Sequence, residues 1–332
     1  MRALLVVAVL GIALCLPEHA GAKNANHCAL KVYTTISVTM PDDATVLVPV
    51  TIGDHAVFMR LNLASLEGFI SKSAVDTLGL QYHAGGQSSR VQYGGHPFAG
   101  ETTLAGFSIG NLKFGQSTFS VPEPTAYGEQ SYAGLPIIGL LGIDLFAHAD
   151  VEIDLSHGRM TLYSQDHCPG RVVYWAADYS VIPMDQDDVG TLYFPVELDG
   201  QLINATLSTA HPFSVLRTDA SKALYGFDEH SPTVKTRTGA SGGDPTHFQA
   251  MSLTAKGLTV MNADIELRHA DCGFRRSTRN GAAGYEKCLG LFPLDLGLNV
   301  LKKLHLYLAT KERKLYFTAA TADPKPAAQE VP

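Results

Sequence analysis

Charged side chains are scarce in this 332-residue chain: Asp, Glu, Lys and Arg make up 17% of it. Basic residues form no long run, and the net charge is −7. A nucleic-acid surface needs concentrated positive charge, so that class of partner is excluded. Long apolar runs are missing as well. Past Leu16 no stretch is long and apolar enough to span a bilayer. Cysteine is rare, at 5 residues, and neither a CxxC nor an HxxxH spacing occurs. Nothing therefore preorganises a metal, and no cofactor is expected. What the chain does have is turn residues, with 31 Gly and 17 scattered Pro. That composition suits a β-rich protein, and the length allows two domains with cores of their own.

The first residues read as a targeting segment. Arg2 supplies a short positive region, Ala3 to Leu16 is apolar, and Ala20-Gly21-Ala22 is a small-x-small cleavage site. Residues 1–22 are thus expected to be a signal peptide, with the mature chain starting at Lys23 and exported, periplasmic or secreted. Leu14 precedes Cys15 where a lipoprotein signal needs a small residue, which argues against lipidation. Export makes the other cysteines, Cys28, Cys168, Cys272 and Cys288, an even set in an oxidising compartment. Four cysteines admit three pairings. Cys28–Cys168 would tie the ends of the first half, and Cys272–Cys288 would close a Gly-rich loop. A tetrahedral zinc set from His27, Cys28, His167 and Cys168 is the alternative for the first pair.

The chain repeats itself. An offset of 146 takes Pro49 to Pro195, Val50 to Val196, Leu61 to Leu207, Ala64 to Ala210 and Leu78 to Leu224. An offset of 155 takes Leu141 to Leu296, Gly142 to Gly297, Asp144 to Asn299 and Arg159 to Lys314. Self-similarity at so long a period indicates a duplicated unit the size of a small domain. Within each copy an apolar hairpin runs into a short polar loop, Leu61-Asn62-Leu63-Ala64-Ser65 and Leu207-Ser208-Thr209-Ala210-His211. An apolar strand and a short helix follow. Each copy later carries a mainly apolar segment ending in a Leu-Gly turn, Ile138-Gly139-Leu140-Leu141-Gly142 and Pro293-Leu294-Asp295-Leu296-Gly297, and a final hairpin.

This order of motifs resembles the pepsin/retropepsin superfamily of aspartic proteases over nearly the whole mature chain. The resemblance implies an all-β fold: two retropepsin-like β lobes in tandem, a pepsin-like bilobal acid-protease architecture with a few short helices. Its lobes would be residues 23–170 and 171–317, with Pro169-Gly170 between them and a disordered tail at 318–332. Asn62 and Ser208 stand where that family carries its two catalytic aspartates. An amide and a hydroxyl cannot share the proton that such a carboxylate pair shares, so no catalytic residue is expected. Leu63 replaces the family's bracing Thr in the first loop, Thr209 keeps it in the second, and Ala64 and Ala210 replace its Gly. Asp76 and Asp219 are decoys, placed by the repeat register on helices beyond the loops. His211, three residues after Ser208, lacks an evident third group to orient it.

The resemblance further implies a cleft lined by Leu63, Ala64, Ser65, Thr209 and Ala210. The Tyr93-Gly94 tip is similar to the family's flap; an ordinary hairpin tip is the other reading. The expected function is that of an exported pseudoprotease holding an extended peptide or protein partner by strand addition. Two alternatives stay open: an active aspartic endopeptidase with an unrecognised dyad, and a structural or assembly protein of the cell envelope. Oligomeric state is not legible.

Overall fold

The structure is a computed structural model that describes residues 28–42, 44–85, 98–123, 127–236, 246–270, 274–276, 281–285 and 291–320. The expected signal peptide, the Tyr93-Gly94 flap tip and the Cys272–Cys288 pair lie outside these residues. So does the tail beyond 320.

Each half begins with an apolar hairpin whose alternation sets its faces. In the first, strands Leu47–Ile52 and His55–Leu61 pair antiparallel from Ile52↔His55 to Leu47↔Arg60, across Gly53-Asp54. Val48, Val50, Val57, Met59 and Leu61 face the core. In the second, Leu192–Leu198 and Gln201–Leu207 pair across Asp199-Gly200. The second strand of each hairpin then gains a parallel neighbour from much later in its half. His55–Leu61 pairs with Leu135–Leu141, and Gln201–Leu207 with Leu294–Leu296. Among the described residues two ten-stranded sheets result, one per half.

A third sheet joins the halves. Its six strands run Val32–Ser37, Arg159–Tyr163, Asp150–Asp154, Leu304–Ala309, Lys314–Ala319 and Ser180–Pro183 in spatial order. The first three come from the first half and the last three from the second. The seam is the antiparallel pair Asp150–Asp154 with Leu304–Ala309. One continuous apolar core runs through both halves, from Val48 and Leu141 to Leu216 and Leu296.

Helices are few and short among the described residues. Lys72–Thr77 starts at Ser71, whose hydroxyl accepts the Ala74 N–H at 3.2 Å and so satisfies one of the free donors of the first turn. Thr218–Tyr225 is its counterpart in the second half, and Leu298–Leu301 follows Gly297. The protein is thus mostly β with two half-barrel lobes, the expected class.

Several expectations need correction. The opening strand is Val32–Ser37, shorter than the alternation over 29–40 suggests, and the returning strand is only Phe69–Ile70. The Pro/Tyr/Gly segment 122–134, read as a loop, holds the strand Gln130–Tyr132, paired with Leu135–Leu141. The last strand runs to Ala319, past the expected start of the tail at 318. Thr318 pairs with His305 and accepts the Trp175 indole N–H at 3.0 Å, so it is structural.

Candidate functional site

The two loops that carry Asn62 and Ser208 meet between the halves. The Thr209 hydroxyl donates to the Leu61 carbonyl at 2.7 Å and accepts the Leu63 N–H at 3.2 Å. It therefore bridges both neighbours of Asn62. The matching hydroxyl is missing at Leu63, which is buried in the apolar core instead. The brace is one-sided.

Around each loop the same backbone bonds recur. Asn62 N–H donates to Leu141 O at 3.0 Å, and Ser208 N–H to Leu296 O at 2.8 Å. Ile143 N–H donates to Ser65 O, and Leu298 N–H to His211 O. Gly142 and Gly297 explain why the turn needs glycine twice. A Cβ at Gly142 would sit 2.6 Å from the Glu67 carbonyl carbon, and one at Gly297 would sit 2.2 Å from the Phe213 carbonyl oxygen. No larger residue fits where these backbones cross.

Asn62 and Ser208 differ in exposure. Asn62 is half-buried, and its Oδ1 accepts the Ala64 N–H at 3.1 Å. Ser208 is 1% exposed, and its Oγ has no hydrogen-bond partner among the described residues. Thr209 is equally buried, Ala64 and Ser65 are half-buried, and Ala210 is exposed. Ser65 Oγ donates to Glu67 O at 2.9 Å.

His211 turns to its own lobe, its Nε2 3.4 Å from Arg268 Nη1. Burial, then the Arg268 charge, lowers its pKa below the usual imidazole value. With the Ser208 hydroxyl unpartnered, no serine–histidine couple forms. Arg217 lies close by in a buried ion pair, 2.7 Å from Asp295, which also accepts the Thr206 hydroxyl at 3.0 Å. The decoys are where the register puts them. Asp76 pairs with Lys72 on one helix, and Asp219 sits in the first turn of another.

Cys28 and Cys168 form a disulfide, which ties the two ends of the first half. The zinc alternative is thereby overturned, since both thiolates are consumed. His167 is engaged as well, 2.6 Å from Asp150.

The sequence reading missed a second polar centre, in the joining sheet. Asp150, Glu152 and Asp154 alternate along one strand, and all are buried. His167 meets Asp150. His305 approaches Glu152 at 2.8 Å and Asp154 at 3.8 Å, and His157 sits 2.7 Å from Asp154. Tyr163 and Tyr174 donate to Glu152, and Arg159 lies 3.6 Å from it. Burial pushes Glu152 up, but the hydrogen bonds from His305 and Tyr163 and the His305 charge outweigh it, leaving its pKa lowered. Asp154 is lowered too: Ser156, His305 and His157 overcome its burial. Burial and the Glu152 carboxylate raise Tyr174 to about 12, and Tyr163 further, so both stay neutral donors. The alternating acids were visible in the sequence. Their partners, up to 160 residues away, were not.

A cavity of about 710 Å³ opens between the halves, beside the first loop, since Leu66 follows Ser65 and Ile143 N–H donates to Ser65 O. Leu66 and Glu67 line it from the first half, Asp188 and Leu192 from the second.

No protein-family model matches the sequence, and no curated protein does either. Solved structures do resemble the fold. The crystal structure of an aspartic proteinase from Irpex lacteus aligns with a TM-score of 0.50 at 11% identity, covering 89% of this chain and 99% of that one. Basic 7S globulin from soybean aligns with a TM-score of 0.49 at 9% identity, covering 88% and 96%. Conglutin gamma, a basic 7S globulin from lupine seeds, gives 0.48 at 11%, covering 87% and 95%. At such identities the likeness is one of fold, and it establishes the fold as pepsin-like.

Proposed function

We propose that this chain is an exported, duplicated pepsin-like protein that has lost hydrolysis and holds an extended peptide or protein segment between its lobes. One observation carries the reading. Thr209 brings the two loops together around Asn62, and the paired positions hold an amide and a hydroxyl. General acid–base catalysis alone is worth about 10²–10⁴-fold, and neither group can supply it near neutral or acidic pH. Strand addition by a bound peptide needs no aspartate. The Cys28–Cys168 bridge supports an oxidising destination. The test is a peptidase assay on the mature protein from acidic to neutral pH, with peptide binding followed in parallel. Binding without cleavage is expected. An aspartic-protease inhibitor that mimics the transition state should bind weakly, because its hydroxyl finds no carboxyl pair. Cleavage that survives both Asn62→Ala and Ser208→Ala would sink the reading and put an active site elsewhere.

A structural or assembly role is the second reading. The burial of Ser208 favours it, because a floor sealed at one dyad position offers a ligand less to contact. Failure of every member of a random extended-peptide library to bind would favour this role over the first.

A further inference from the structure

We propose that the 710 Å³ cavity between the halves binds a free amino acid or dipeptide with apolar side chains, as a zwitterion. This inference is independent of the peptide-cleft reading. The volume is that of a small-molecule site. Five separate parts of the chain build the cavity: 66–67, 143–147, Gln165, 186–192 and 310–313. Gln165 ties two of them, donating to Ala147 O at 3.1 Å and to Thr310 Oγ1 at 2.6 Å. Gln186 Nε2 donates to Gly190 O at 3.0 Å and steadies a third. The walls are thus preorganised.

Their chemistry is divided by charge. Lys311 and Arg313 line the cavity from one hairpin, while Glu312 and Lys314 between and beyond them pair with each other at 3.1 Å. The Lys311 and Arg313 side chains have no ion-pair partner among the described residues. Asp188 lines the cavity equally unpaired, and Glu67 and Asp144 add two more carboxyls. Asp144 is exposed at its surface, and its carboxyl is bonded by the Gly68 and Leu145 backbone. Partial burial, aided by the Glu67 charge, outweighs those bonds and holds its pKa above the usual carboxylate value. Leu66, Ile143, Val189 and Leu192, each half-buried, add apolar lining. A ligand carrying one carboxylate, one ammonium and an apolar body complements all three features. A purely apolar ligand would leave Lys311, Arg313 and Asp188 unanswered, and a simple anion would leave Asp188 so.

Leucyl-leucine is the probe, titrated into the mature protein by calorimetry, with amide resonances followed by NMR. Saturable binding is expected with Kd on the order of 10⁻⁴ M. Leucyl-leucinamide, lacking the carboxylate, and N-acetyl-leucyl-leucine, lacking the ammonium, should each bind about tenfold or more weaker. Lys311→Ala with Arg313→Ala should weaken leucyl-leucine to a similar degree, and so should Asp188→Asn. These residues are exposed, so the variants should fold as the parent does. Resonances of Gly190 and Lys311 should shift. No saturable binding below about 10 mM, or binding indifferent to the double variant or to either blocked analogue, overturns the proposal and leaves the cleft reading intact. Shifts confined to Ala64 and Ala210 would also overturn it, and would move the ligand to the cleft.

Discussion

Thr209 and Ser208 are neighbours with opposite energetic roles. Thr209 satisfies a buried carbonyl and a buried N–H on the other half. Thr209→Val keeps the shape and removes both bonds, and should cost about 1–3 kcal/mol, read as a lower midpoint in urea. Ser208 holds a buried hydroxyl that bonds to nothing described. Ser208→Ala should therefore be neutral or stabilising by up to about 1 kcal/mol, whereas Ser208→Asp buries a charge and should destabilise strongly. A Ser208→Ala loss of several kcal/mol would show that the hydroxyl has a partner after all. Glu67→Gln should lower the titration midpoint of Asp144, followed by NMR, because it removes the neighbouring negative charge. The equivalent backbone bonds of Asn62 and Ser208, to Leu141 and Leu296, follow the repeat offset. The unequal burial of the two residues does not, since it depends on how two distant loops pack.

At the scale of elements, short-range chemistry was the most legible. The two hairpins, the Ser71 cap and the Gly142 and Gly297 turns follow from local pattern and turn residues. The strand at Gln130–Tyr132 was hidden because its Pro/Tyr/Gly setting reads as loop, and only its pairing with Leu135–Leu141 makes it a strand. The opening strand was too long on paper because alternation continues past the residues that find a partner. The Cys28–Cys168 bridge fastens the strand Val32–Ser37 to the far end of its half, closing a separation of 140 residues. Cys28→Ser with Cys168→Ser should cost about 3–5 kcal/mol, measured by denaturant unfolding against the oxidised parent. An unchanged midpoint would mean that the first half holds its ends together without the bridge.

The whole molecule is governed by the six-stranded sheet, which neither half can complete alone. Its seam is charged. Glu152 and Asp154 have lowered pKa values in the folded state, so they stabilise it fully above the unfolded carboxylate range of about 4. That stability is lost as pH falls through their folded values. Unfolding free energy should drop on the acid side of about pH 4, and Glu152→Gln should flatten that drop. His305→Ala leaves Glu152 buried with one partner fewer and should cost about 3–5 kcal/mol at neutral pH. The repeat made two lobes legible, but contacts across 140 to 160 residues of chain carry no local signal, so the joining sheet was not legible. Its order also dictates a history. During synthesis the strand Asp150–Asp154 can pair with Arg159–Tyr163 almost as soon as both are made. Its other edge must wait for Leu304–Ala309, roughly 150 residues of translation later. For that interval the nascent chain presents a bare strand edge, the kind of surface that captures other chains. Asp150, Glu152 and Asp154 then stand on that edge without His305, and three acidic residues in five disfavour pairing with a second copy of the same edge. The acids that bind histidines in the finished fold act as gatekeepers while it is being made.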